Sequence, residues 1–168
     1  MPTEIASDYF PEDILEFLST LHQAGVNFVI VGGEAVIFHG YARLTGDIDV
    51  FYEFSEENNR RLFQALSVFW GGNIPGIKSK DDFSPGEILQ FGVPPQRVDL
   101  LNEIDGVSFA EVWESKITAT ITVPGAHFEI YLIGIDTLLK NKRASGRPKD
   151  LQDLQFFEQD QGRSFIDE

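Results

Sequence analysis

Apolar residues recur along the chain with periods that change from segment to segment. Between Pro11 and Gly25 they fall at Ile14, Leu15, Phe17, Leu18 and Leu21, the stripe of one helix face. Pro11 suits the first turn of that helix, and Gly25 ends it. The run "NFVIV", bounded by Asn27 and Gly32, is too short for a helix and predicts a buried strand. "GEAVIFHG" leaves room for a short helix that opens just after the glycine pair and closes at Gly40. "DIDVFYEF" alternates and is rich in β-branched and aromatic residues, so it reads as a second strand. Ser55 then caps a longer helix over "EENNRRLFQALSVFW", with acids in its first turn.

The second half changes rhythm. Residues 71–86 are rich in Gly, Pro and Asp and read as a loop. "EILQFGV" and "RVDLLNEI" predict strands joined through Pro94-Pro95 as a hairpin. "SFAEVWES" is a short helix capped by Ser108, and "KITATITV" with "HFEIYLI" forms another antiparallel pair around "PGA". Two helices end the chain, "IDTLLKNKRAS" and "PKDLQDLQFFEQD", with Gly146 closing the first and Pro148 opening the second. We find no repeat, low-complexity tract or linker. This succession predicts an α+β fold in which a mixed sheet is packed by helices. It predicts one domain over residues 1–168, with a core over about 10–105 and C-terminal strands and helices over about 106–160.

Composition narrows the class. A hydrophobic content of 42% with 15 Phe is ample for one packed core, where Trp70 and Trp113 are expected. No apolar run approaches the ~20 residues of a membrane span. The opening "MPTEIASDYFPEDILEF" lacks a signal-peptide pattern, so a cytoplasmic protein is expected. The absence of Cys excludes disulfides and thiolate metal sites. A net charge of -14 argues against a broad nucleic-acid surface. Yet Lys140, Lys142, Arg143, Arg147 and Lys149 are five of the 13 basic residues, with no acid between Thr137 and Lys149. Such an island suits a small, intensely negative ligand, or serves as favourable charge at a helix C-terminus.

Candidate chemistry centres on Asp47 and Asp49. At i and i+2 of a strand they share a face, where two carboxylates repel each other unless a cation neutralises them. Mg²⁺ takes oxygen ligands of this kind. An EF-hand loop beginning at Asp47 fails, because its sixth position is Tyr52 rather than Gly and its twelfth is Asn58 rather than Glu. Gly32-Gly33, between a strand and a helix, lets backbone amides approach a phosphate, although neither a Walker nor a Rossmann spacing is present. A tight turn would also use such a pair. Asp99, embedded in "QRVDLL", needs a partner or a metal, and a strand beside "DIDVF" would bring it to the pair. Arg97 is expected on the opposite strand face and therefore not as its partner. His39 is read as a helix-end residue rather than a ligand, and Glu34 as capping electrostatics.

Gly32-Gly33, thirteen intervening residues, Asp47-Ile48-Asp49 and a later apolar-flanked Asp99 resemble the polymerase β-like nucleotidyltransferase superfamily. "FVIVGGEAVIFHGYARLTGDIDVF", "GVPPQRVDLLNEIDGVSFAEVW" and "NKRASGRPKDLQDL" are similar to small bacterial stand-alone members related to the abortive-infection toxins of toxin–antitoxin systems. Gly33 stands where a Ser is common in that group, which removes one hydroxyl contact to phosphate and leaves the backbone amides. The resemblance implies the minimal nucleotidyltransferase fold, with C-terminal helices completing a nucleotide cleft. It implies two Mg²⁺ ions, or Mn²⁺, held by Asp47, Asp49 and Asp99, and transfer of an NMP from an NTP to an acceptor hydroxyl. Gly32, Gly33, Arg43, Thr45, Lys142, Arg147 and Lys149 would bind the nucleotide. The acceptor is open among a tRNA end, a protein side chain and a small alcohol, and so is a homodimeric or antitoxin partner. The alternative, an idle nucleotide-binding or partner-binding module, has no need of mutually repelling carboxylates.

Overall fold

A computed structural model of the chain describes residues 3–6, 8–41, 46–93 and 96–166. Arg43, Thr45 and the Pro94-Pro95 connection lie outside the described residues. The fold is α+β, as the hydrophobic pattern predicts. The elements are β1 (Thr3–Ile5), α1 (Glu12–Gln23), β2 (Phe28–Val31), α2 (Gly32–Phe38), β3 (Asp47–Tyr52) and α3 (Glu56–Phe69). A 3₁₀ turn (Lys80–Asp82), β4 (Ile88–Phe91), β5 (Arg97–Leu101), α4 (Phe109–Ser115), β6 (Ile117–Val123) and β7 (Ala126–Leu132) follow. The chain continues into α5 (Ile135–Ser145) and α6 (Pro148–Ile166).

The seven strands form one mixed sheet in the order β1-β6-β7-β2-β3-β5-β4. Its faces follow strand parity. Phe28 and Ile30 of β2 and Ile48, Val50 and Tyr52 of β3 join Phe17, Leu18 and Leu21 of α1 and Leu62 and Leu66 of α3 in one core. Val29, Val31 and Phe51 turn to the other face, where Val36 of α2, Val112 of α4, Leu138 and Leu139 of α5 and Leu154 of α6 cover them. Trp70 packs against the first core and Trp113 against the second. Asp47 and Asp49 have the parity of Phe51, so they project to the face bearing α2, α5 and α6.

The register that aligns the site is tied at the outer ends of β2 and β3. Ser55 caps α3 by accepting from the Asn58 amide at 3.1 Å. Asn58, thus placed, accepts from the Asn27 amide through Oδ1 at 2.8 Å. Its Nδ2 donates to the carbonyls of Asn27, at 3.1 Å, and Glu53, at 2.7 Å. These bonds clasp the start of β2 to the end of β3 and support a pairing that runs from Phe28 opposite Tyr52 to Val31 opposite Asp49. β1 adds an edge strand parallel to β6 that the sequence pattern does not reveal.

Candidate active site

β3 and β5 run parallel and in register, with Asp49 opposite Asp99 and Asp47 opposite Arg97. The predicted meeting of Asp99 with the aspartate pair is therefore what the sheet produces. One carboxylate oxygen from each of Asp47, Asp49 and Asp99 lies within 4.8 Å of the others. The cost of this arrangement is visible in the acidities. Burial pushes the Asp49 carboxyl up to about 7, helped by the charges of Asp47 and Asp99 and opposed by Lys142. Burial also raises Asp99, as do its hydrogen bond with Asp47 and that neighbour's charge, while Arg97 opposes them. Glu34, at the start of α2, is raised chiefly by burial and further by Asp47, against a hydrogen bond from the Tyr9 hydroxyl.

Gly32 explains how Asp49 fits. Its φ of +67° lies in the left-handed region. A Cβ there would overlap the Asp49 carboxylate, lying 2.9 Å from Cγ. The glycine is thus required twice, for its backbone conformation and for the carboxylate packed on the turn.

Arg97 corrects the sequence reading. Residues two apart on a strand share a face, so Arg97 projects beside Asp99 rather than away from it. Its Nε donates to Asp99 Oδ1 at 3.1 Å, and its terminal nitrogen donates to Asp99 Oδ2 at 3.3 Å and to Asp47 Oδ2 at 2.7 Å.

The triad opens into a cleft of about 660 Å³ that gathers most of the expected site residues. Gly32, Gly33, Asp47, Asp49, Arg97 and Asp99 line one wall, and Asn141, Lys142, Arg147 and Lys149 line the wall from α5 and α6. Gly146, at φ +63°, makes the sharp turn that brings α6 back onto α5. The basic residues differ in how they are engaged. Lys142 is buried, with its ammonium 3.0 Å from Asp150 and 3.1 Å from Asp153. Arg147 Nε is 3.0 Å from Asp150, with three quarters of its side chain exposed. Asp150 and Asp153 escape a sequence reading centred on cations, although their i, i+3 spacing puts both on the α6 face toward α5. Outside the cleft, His39 donates from Nε2 to the Ile133 carbonyl at 2.8 Å, a tether between α2 and the segment after β7.

The donor set is all carboxylate oxygen, which fits a hard divalent cation. Burial first, and then the charges of Asp47 and Asp99, hold the Asp49 carboxyl above its ordinary range, and Lys142 offsets only part of that rise. A carboxylate triad able to hold a metal ion shares its cleft with Lys142, Arg147 and Lys149, an arrangement suited to phosphoryl chemistry. Residues 12–158 match the model of a family described as a nucleotidyltransferase of unknown function (DUF6036), and the chain belongs to that family. Family membership implies an NTP substrate. No curated protein matches the chain. Among the described residues no helix is long and apolar enough to cross a membrane.

Proposed function

We propose that the chain is a Mg²⁺-dependent nucleotidyltransferase that moves an NMP from an NTP to a hydroxyl of its acceptor. The observation that carries this reading is the convergence of Asp47, Asp49 and Asp99 within 4.8 Å beside the Gly32 turn. Asp47, Asp49 and Asp99 are the residues that would hold Mg²⁺ or Mn²⁺. The bound cation would lend charge neutralisation to the attacking and leaving oxygens of an in-line displacement. Gly32 and Gly33 present backbone amides to the phosphates. Arg147 and Lys149 meet the departing pyrophosphate, and Lys142 contributes positive potential from its place between Asp150 and Asp153. Arg43 and Thr45, just before the aspartates, are assigned to the same nucleotide. The acceptor hydroxyl oxygen bonds to the α-phosphorus as the bond to pyrophosphate breaks, and an Asp99 carboxylate oxygen takes the hydroxyl proton.

The similarity to abortive-infection members extends the proposal to a toxin–antitoxin role in the bacterial cytoplasm, with an antitoxin or a second copy as partner. The decisive experiment supplies labelled NTPs to RNA, protein and small-molecule pools, comparing the wild type with Asp47→Ala and Asp49→Ala. Label should enter one pool with release of pyrophosphate and vanish in both variants. Equal labelling by all three proteins removes the catalytic assignment, and Mg²⁺-dependent NTP binding without pyrophosphate release marks an idle binding module.

A further inference from the structure

Arg97 takes no part in the scheme above, yet it forms ion pairs with two of the three carboxylates. Its terminal nitrogen lies 2.7 Å from Asp47, and its Nε lies 3.1 Å from Asp99. Both Asp99 oxygens accept from the guanidinium, as does Oδ2 of Asp47. Three of the six carboxylate oxygens of the triad therefore already accept from a cation of the chain itself. We propose that Arg97 is a built-in counterion, which holds Asp47 and Asp99 together in the cation-free site and must release Asp47 before a divalent cation binds.

Three features favour exchange over a permanent salt bridge. Three carboxylates this close cannot all stay ionised without nearby positive charge, so the cation-free fold needs some stand-in. The parallel register supplies it, setting Arg97 directly opposite Asp47 on the neighbouring strand. About a third of the Arg97 side chain is exposed, and it lines the cleft, so the guanidinium has space to leave. Binding is then a swap of one cation for another. The displaced guanidinium stays in the cavity that would receive the polyphosphate. This inference rests on the metal-binding part of the proposed function.

The test titrates Mn²⁺ alone, with no nucleotide, into wild type, Arg97→Gln, Arg97→Lys and Arg147→Gln, reading free Mn²⁺ by electron paramagnetic resonance. Arg97→Gln is expected to bind on the order of tenfold tighter than wild type, the return from one charge-assisted hydrogen bond no longer broken. Arg147→Gln removes a charge from the same cleft without touching the triad, and should change binding far less. In wild type, the Arg97 terminal N–H resonance, held by Asp47 in the cation-free site, should lose its exchange protection as Mg²⁺ is added. Equal or weaker Mn²⁺ binding by Arg97→Gln overturns the inference. So does an equal gain in Arg147→Gln, which would mean a field effect rather than a contact. If Arg97→Gln does not fold, Arg97→Lys, which cannot reproduce the forked bridge, carries the same comparison. Absence of Mn²⁺ binding in every protein removes the metal site itself, and the exchange with it. Binding by wild type that Arg97→Gln leaves unchanged removes the exchange alone.

Discussion

Replacing Asp49 by Asn should stabilise the cation-free protein while abolishing its response to Mg²⁺. The Asp49 carboxyl rises from 3.8 to about 7 in the fold. Each unit is about 1.36 kcal/mol, so the folded state carries an electrostatic penalty of up to about 4 kcal/mol once that group is ionised. The sign follows from proton binding. Between about pH 4 and about pH 7 the folded state keeps a proton that the unfolded chain has lost, so stability falls as pH rises through that window and levels above it. Asn has nearly the same shape and no proton to lose, so this part of the slope disappears. Recovery of even half the penalty, about 2 kcal/mol, raises Tm by about 4–8 °C for a chain of this size. The assay is calorimetric melting from about pH 5 to about pH 9, each protein measured in chelator and in millimolar Mg²⁺. Wild type should gain stability with Mg²⁺ by mass action, and Asp49→Asn should not. Parallel pH curves for the two proteins, or a less stable variant above neutrality without metal, would refute the reasoning.

Gly32→Ala should destabilise by more than the roughly 1–2 kcal/mol of a left-handed non-glycine residue, because the new Cβ also meets Asp49. In urea unfolding, adding Asp49→Ala should recover the overlap and leave the backbone strain; no recovery would mean the overlap costs nothing. Lys142→Met leaves the buried Asp150 and Asp153 without their shared ammonium and should cost about 3–5 kcal/mol in the same measurement. Neutralising both acids as well, with Asp150→Asn and Asp153→Asn, should restore much of that loss. Asn58→Ala deletes three hydrogen bonds to backbone at 2.7–3.1 Å and should cost about 2–3 kcal/mol, with amide exchange quickening first at Asn27 and Glu53.

What could be read from sequence, and what could not, divides by the distance over which each rule acts. Strand parity is local, and it suffices to put Asp47 and Asp49 on one face. The apolar flanks of Asp99 then point to a neighbouring strand, and the pairing of Asp49 with Asp99 follows. The same parity rule places Arg97 beside Asp99, so its place on that face is local information as well. Other features have no local trace. β1 is three residues long and owes its state to a parallel partner more than a hundred positions away. Lys142 reads as a free cation until α6 folds back and delivers Asp150 and Asp153 to it. The glycine pair changes most. From sequence, Gly32 and Gly33 together suggest a cradle for phosphate. In the fold Gly32 is held to glycine by the site's own Asp49, whose carboxylate fills the space a side chain would take. The glycine and the D-x-D pair are therefore coupled by packing, independently of any ligand. Loss of nucleotide binding in a Gly32 variant would accordingly report displacement of Asp49, whereas Gly33, which also lines the cleft, is where a direct amide contact to phosphate can be tested.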